Sequence, residues 1–299
     1  MELWHAAILG LVEGITEYLP ISSTGHLIIT ASLLGLDTPD QKSSVDAFNI
    51  VIQGGAILAV LGLYRQRVWQ MCRGLMGKDP AGLKLAINIL IAFLPAAVLG
   101  FLLNDWIESR LFSLWPVAAA LALGGVFMIL VDRWRMKHLR AEERAASERG
   151  EEPHAEFDLA DLTPARALII GLLQVIAMWP GTSRSMMTIT GGVLVGLRPK
   201  QAAEFSFLLG LPTLGGATVY SFVKNLKHAH DTGTPSMIDQ LGVFPIVVGI
   251  AVATLSAMVA VRWLVGFLNK HGLTPFGVYR LGLCALLLGL ALGGVISMP

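Results

Sequence analysis

The chain has 299 residues, 54% of them hydrophobic and only 14% charged, with a mean hydropathy of +0.65. A soluble domain carries about 25% charged residues, so the deficit points to lipid as the solvent. A net charge of +1 gives no whole-molecule field for nucleic acid, and Cys72 and Cys284, far apart in sequence, make neither a disulfide framework nor a metal cluster.

No basic segment precedes the N-terminal apolar stretch, and Glu13 and Glu17 interrupt it. It is therefore expected to stay in the mature protein rather than be cleaved as a signal peptide. Residues 5–36 are broken at Pro20-Ile21-Ser22-Ser23-Thr24-Gly25 and read as helix, turn, helix. Glu13 and Glu17, four apart, share a helix face, and two carboxylates inside a membrane segment need compensation. A divalent cation is the natural one; the plainer alternative is a pair of solvated acids at the interface. After the turn come Ser22, Ser23, Thr24, Gly25 and His26, where Ser or Thr can cap the new helix and leave its first N–H groups facing an anion. Ser23 and His26, three apart, would share that face. Taken alone, His26 reads equally well as a hydrogen-bonded structural histidine.

Three apolar runs follow, at 46–64, 85–103 and 114–131, each near the roughly 20 residues that cross a hydrocarbon core. Residues 133–162 are basic first and then acidic, and read as a solvated linker. Residues 163–196 repeat the broken pattern, interrupted at Pro180-Gly181-Thr182-Ser183. Arg184 stands at the expected N-terminus of the next helix, where a guanidinium can hold phosphate through two parallel hydrogen bonds, the alternative being an ion pair with an acid. Ser183, Ser185 and Thr188 extend that polar face, although caps and helix packing explain such residues equally well. Runs at 202–223, 243–261 and 276–297 bring the spans to six.

The two broken stretches resemble each other. Gly10 aligns with Gly171, Glu13 with Gln174, Pro20 with Pro180 and, given one gap, Ser23 with Ser183; Phe48 and Phe205 then open the next spans. Non-helical backbone at membrane depth must be buried in protein or face a wet cavity, so both stretches read as re-entrant hairpins. Three spans lie between them, so the hairpins enter from opposite faces and the repeats are inverted. On this layout sixteen Lys and Arg fall on one face and four (Lys42, Arg110, Lys224 and Lys227) on the other. The positive-inside rule makes the first face cytoplasmic, with the first hairpin opening outside. The expected fold is one all-α polytopic membrane domain over 1–299: six transmembrane helices and two re-entrant helical hairpins, with repeat one at about 1–132, a charged linker at about 133–162 and repeat two at about 163–299.

Two acids, a hydroxyl, a histidine, an arginine and two helix N-termini suit phosphoryl transfer, which needs charge neutralisation and in-line positioning. At this level "GLVEGITEYLPISSTGH" and "WPGTSRS" resemble the two signature regions of the undecaprenyl-diphosphate phosphatase family, the bacitracin-resistance proteins. The E/Q-x-x-x-E pattern is met by Glu13 and Glu17, the serine-rich turn and histidine by Ser23 and His26, and P-G-x-S-R-S-x-x-T by Pro180 through Thr188. No signature residue is missing, and the charged 133–162 insertion is longer than the resemblance leads one to expect.

The resemblance implies hydrolysis of undecaprenyl diphosphate to its monophosphate with a divalent metal, Mg2+ or Ca2+. The site would open on the outer face of the bacterial cytoplasmic (inner) membrane, recycling the lipid carrier for peptidoglycan and conferring bacitracin resistance. Glu17, assisted by Glu13, would hold the metal, Arg184 would grip the terminal phosphoryl group, Ser23 would be the nucleophile and His26 its general base. A metal-bound water attacking directly remains the alternative. Ser22, Thr24, Gly25, Gly181, Thr182, Ser183, Ser185 and Thr188 would line the phosphate, which requires the two turns to meet. The expected partners are the polyprenyl diphosphate and membrane lipid, with no nucleic acid and a homodimer left open. The competing class is a lipid-phosphate transporter or flippase built on the same inverted repeat.

Overall fold

The computed structural model describes residues 1–36, 39–111, 113–149, 157, 159–232 and 237–294. They are predominantly helical, with no strand among the described residues apart from an isolated bridge between Phe157 and Leu197. The order is α1 (Leu3–Thr16), α2 (Ser23–Leu33), α3 (Pro39–Leu63), α4 (Arg65–Leu75), α5 (Pro80–Leu111) and α6 (Leu114–Arg149). There follow a 3-10 turn (Leu159–Asp161), α7 (Pro164–Ile176), α8 (Arg184–Leu194), α9 (Pro199–Thr232), α10 (Met237–Leu241), α11 (Val243–His271) and α12 (Thr274–Leu292).

Six of these are long and apolar enough to cross a membrane: Ser44–Leu63, Pro80–Leu103, Leu114–Arg149, Pro199–Lys224, Val243–His271 and Thr274–Leu292. They coincide with the six predicted runs, so the chain is a multi-pass membrane protein; residues 295–297 of the last run lie outside the described residues. Large apolar side chains such as Phe101, Trp115, Phe244 and Leu255 stand exposed on these helices, as a surface solvated by lipid allows.

The reading of 133–162 changes in its first half. Helix α6 continues through Asp132 to Arg149 instead of ending with its apolar run. Strong helix formers (Ala, Arg, Glu, Lys, Leu) fill this stretch, and Glu142 pairs with Arg149 two turns on at 3.5 Å. Residues 150–156 and 158 lie outside the described residues. At the base of this extension Asp132 is buried and caps α12, accepting from the Thr274 N–H at 2.9 Å and from its hydroxyl at 2.7 Å.

Both expected breaks are present, between α1 and α2 and between α7 and α8. The short helices dock crosswise: α1 lies along α11, and α7 along α5. Glycine permits both approaches. A Cβ on Gly10 would stand 2.5 Å from the Gly249 carbonyl oxygen, and one on Gly171 would stand 2.5 Å from that of Ala92. Long helices α3 and α9 pack against each other, as do α6 and α12, and the two turns come together among them.

Candidate active site

Each turn ends on a serine that caps the following helix. Ser22 (φ 75) accepts from the Gly25 N–H at 3.3 Å, and Ser183 (φ 74) accepts from the Met186 N–H at 3.3 Å. They are the only non-glycine residues with positive φ among the described residues, a conformation that costs on the order of 1–3 kcal/mol at each position. The structural counterpart of Ser183 is therefore Ser22, and the alignment of Ser23 with Ser183 is one residue out of register. The capping position decides the equivalence, and a run of two serines hides it. In the second turn Gly181 takes φ 90, where a Cβ would also stand 2.7 Å from the Val117 carbonyl oxygen. The Thr182 N–H closes this turn on the Trp179 carbonyl at 3.1 Å.

The turns meet at Glu17. The Ser23 hydroxyl donates to Glu17 Oε2 at 2.8 Å, and Arg184 Nη2 donates to Glu17 Oε1 at 3.0 Å. The paired side chains of Arg184 and Glu17 are only 9% and 6% exposed. Arg184 Nη1 also donates to the Ser206 carbonyl at 2.9 Å, the guanidinium carbon stands 5.3 Å from the Tyr18 ring centroid, and a Cβ on Gly210 would intrude to 2.9 Å from Nη1. The Ser185 hydroxyl lies 2.9 Å from the Leu19 carbonyl, to which it donates, and 3.0 Å from the Ser183 hydroxyl. Thr188 Oγ1 donates to the Arg184 carbonyl at 2.8 Å and lies 2.6 Å from Ser206 Oγ. Gly25 is buried with Leu121 and Leu283 beside it; Thr24 is half-buried and Thr182 buried.

Glu13 is fully buried one turn before Glu17, and both of its carboxylate oxygens lack a hydrogen-bond partner. An orphaned buried acid requires neutralisation. The oxygen-only donors of Glu13 and Glu17 match a hard divalent cation, and among the described residues no cluster of three or more His, Cys, Asp or Glu exists to complete a cage. Mg2+ in particular is commonly held by one or two carboxylates plus substrate phosphate and water. The residues therefore fit a cation that arrives with a phosphate ligand.

His26 departs from the expected arrangement. Its Nδ1 lies 2.7 Å from the Ser22 carbonyl and its Nε2 lies 2.7 Å from the Tyr279 hydroxyl. Both ring nitrogens are engaged, while Ser23 turns its proton to Glu17. The two side chains leave the first turn of α2 in different directions, Ser23 toward the end of α1 and His26 toward α12.

Helix α12 contributes a second residue that the sequence reading passed over. Arg280 is fully buried and donates from Nη2 to the Ala120 and Gly181 carbonyls, both at 2.9 Å, while its Nε and Nη1 lack partners. The available signal was a charged residue in the middle of an apolar span, which is costly unless used. Tyr279 and Arg280 thus fasten one helix to both turns.

The description "Bacitracin resistance protein BacA" belongs to the family model that matches residues 6–286. An undecaprenyl-diphosphatase of Sorangium cellulosum is 45% identical over 96% of this chain and 86% of its own length. Undecaprenyl-diphosphatase 2 of Rhodospirillum rubrum is 44% identical over 99% and 97%, and the undecaprenyl-diphosphatase of Cupriavidus necator is 42% identical over 98% and 96%. The chain belongs to this family.

Proposed function

We propose that this member of the bacitracin resistance protein family is an enzyme that hydrolyses undecaprenyl diphosphate to undecaprenyl phosphate and inorganic phosphate. The observation that carries the reading is the chain of contacts Ser23–Glu17–Arg184, which joins a hydroxyl, a carboxylate and a guanidinium from two separate turns. Relatives named for this activity match it along nearly their whole length, and nothing comparable supports the transporter reading.

Arg184 is held by one carboxylate, so a terminal phosphoryl group can take over the guanidinium as a two-point anion. Glu17, released from that pair, accepts the proton of the Ser23 hydroxyl that already donates to it. Ser23 Oγ then forms a bond to phosphorus as the bond to the bridging oxygen breaks, and undecaprenyl phosphate leaves. Water then attacks phosphorus; as the bond to Ser23 Oγ breaks, Glu17 returns its proton to that oxygen and inorganic phosphate leaves with both protons of the water. His26, engaged at both ring nitrogens, holds the first turn of α2 that carries Ser23. Glu13, with Glu17 beside it, would hold a Mg2+ or Ca2+ ion, which when bound neutralises charge on the diphosphate. The backbone N–H groups opening α2 and α8 face the same anion from two helix N-termini, with Ser22, Ser183 and Ser185 around them.

The excess of Lys and Arg on one face of the layout favours a site opening to the outer side of a bacterial cytoplasmic membrane. There the reaction recycles the lipid carrier of peptidoglycan synthesis, and the crosswise docking of α1 and α7 supports an inverted repeat with re-entrant hairpins. Purified protein in detergent, given undecaprenyl diphosphate and Mg2+ or Ca2+, should release inorganic phosphate. Absence of release, together with movement of the lipid across proteoliposomes, would replace hydrolysis by transport.

A further inference from the structure

We infer that Tyr279 is a positioning residue of the reaction, acting through His26. Nδ1 of His26 faces the Ser22 carbonyl oxygen, which can only accept, so Nδ1 carries the proton. In the neutral ring this leaves Nε2 as the acceptor, and the Tyr279 hydroxyl at 2.7 Å donates to it. The two rings are also nearly parallel, with centroids 5.7 Å apart and an interplanar angle of 6°. One end of the imidazole is thus tied to the first turn and the other to α12, fixing both the tautomer and the ring plane. Held at both nitrogens, the ring pins the first turn of α2, and with it the Ser23 hydroxyl, against α12.

Tyr279 reaches the site from near the end of the chain, and its neighbour Arg280 grips the Gly181 carbonyl of the second turn. One step of α12 therefore sets His26 relative to the turn that carries Arg184. Tyr279 is 48% exposed, so its burial alone contributes little to holding α12, and its specific contact is with His26.

This inference rests on His26 belonging to the site, and the experiment separates the two. Full-length protein labelled with 15N-histidine is compared by NMR in detergent with its Tyr279→Phe variant, His26→Gln identifying the resonance among the seven histidines. In the wild type, His26 should show a protonated Nδ1 and a hydrogen-bonded Nε2. Tyr279→Phe should shift the Nε2 signal toward that of a free acceptor, leaving the other histidines and the thermal midpoint unchanged. Phosphate release should fall about tenfold in kcat, the equivalent of one hydrogen bond, with KM within about twofold. In a His26→Ala background the same change should have no further effect. An unmoved His26 signal, or a Tyr279→Phe loss that adds in full to that of His26→Ala, would overturn the inference. If no variant, nor the wild type, released phosphate, the proposed reaction would fall, while the NMR comparison would still decide whether Tyr279 holds His26.

Discussion

Replacing Arg184 by Lys keeps the charge and removes the fork. In the structure the guanidinium uses two nitrogens at once, Nη2 on Glu17 and Nη1 on the Ser206 carbonyl, while its plane lies by Tyr18 and fits against Gly210. An ammonium can keep the charge next to Glu17 but cannot span both acceptors or offer a phosphoryl group two parallel donors. Losing one well-placed donor to a developing oxyanion costs about 2.7–4 kcal/mol, which is about 10²–10³ in kcat. Arg184→Lys should therefore lower phosphate release from undecaprenyl diphosphate by about 10²–10³, with most of the loss in kcat. Arg184→Ala is the poorer probe, because leaving Glu17 buried and unpaired costs about 3–5 kcal/mol of stability on its own. The assay is initial-rate phosphate release by monodisperse protein in detergent, with a thermal midpoint confirming the fold. Turnover of Arg184→Lys within about threefold of wild type would remove Arg184 from the phosphate site.

Glu17→Gln should abolish hydrolysis and also lower the thermal midpoint, since one change disturbs the contacts of both Ser23 and Arg184. Glu13→Gln, at an acid with no protein partner, should leave the midpoint nearly unchanged but weaken Mg2+ or Ca2+ binding measured by calorimetry with inorganic pyrophosphate present; full activity in excess chelator would reject the acid pair as a cation site. Gly171→Ala should destabilise by about 1–3 kcal/mol through overpacking against Ala92, read as a lower midpoint with KM preserved in the surviving fraction. In a Cys72→Ala, Cys284→Ala background, Ser23→Cys and Ser183→Cys should be joined by thiol reagents spanning on the order of 10 Å, about one helix separation. A diphosphate lipid should protect both, and reaction of the two from opposite faces with no link formed would separate the turns.

The six spans were legible because lipid allows little else: a helix that crosses it must be apolar for about 20 residues, and sequence length reports that directly. The breaks were legible because Pro20 and Pro180 lack an N–H and sit beside cap-forming residues. The register of the repeat was not, since Ser22 and Ser23 are chemically alike and only backbone φ distinguishes the cap. Ser23 and His26 turn to different partners for a related reason: a three-residue spacing places two side chains on one face but does not fix where each points. Tyr279 and Arg280 belong to a helix that reads as an ordinary span, and their partners lie in distant elements of the sequence. No local pattern contains that information, although a lone arginine in an apolar run was a signal to pursue. The continuation of α6 to Arg149 was missed by equating the end of an apolar run with the end of a helix.

The crosswise docking of the short helices bears on the order in which the protein can be assembled. Helix α7 emerges from the ribosome after α5, so its groove at Ala92 already exists when it arrives. Helix α1 precedes α2–α10 in the chain, yet its seat beside Gly249 on α11 follows all of them. Until α11 is made, the helix carrying Glu13 and Glu17 has α2 and α3 beside it but lacks its main seat. A nascent chain halted after α9 would hold its second broken pair against its seat, while α1 would gain its own only as α11 enters the membrane.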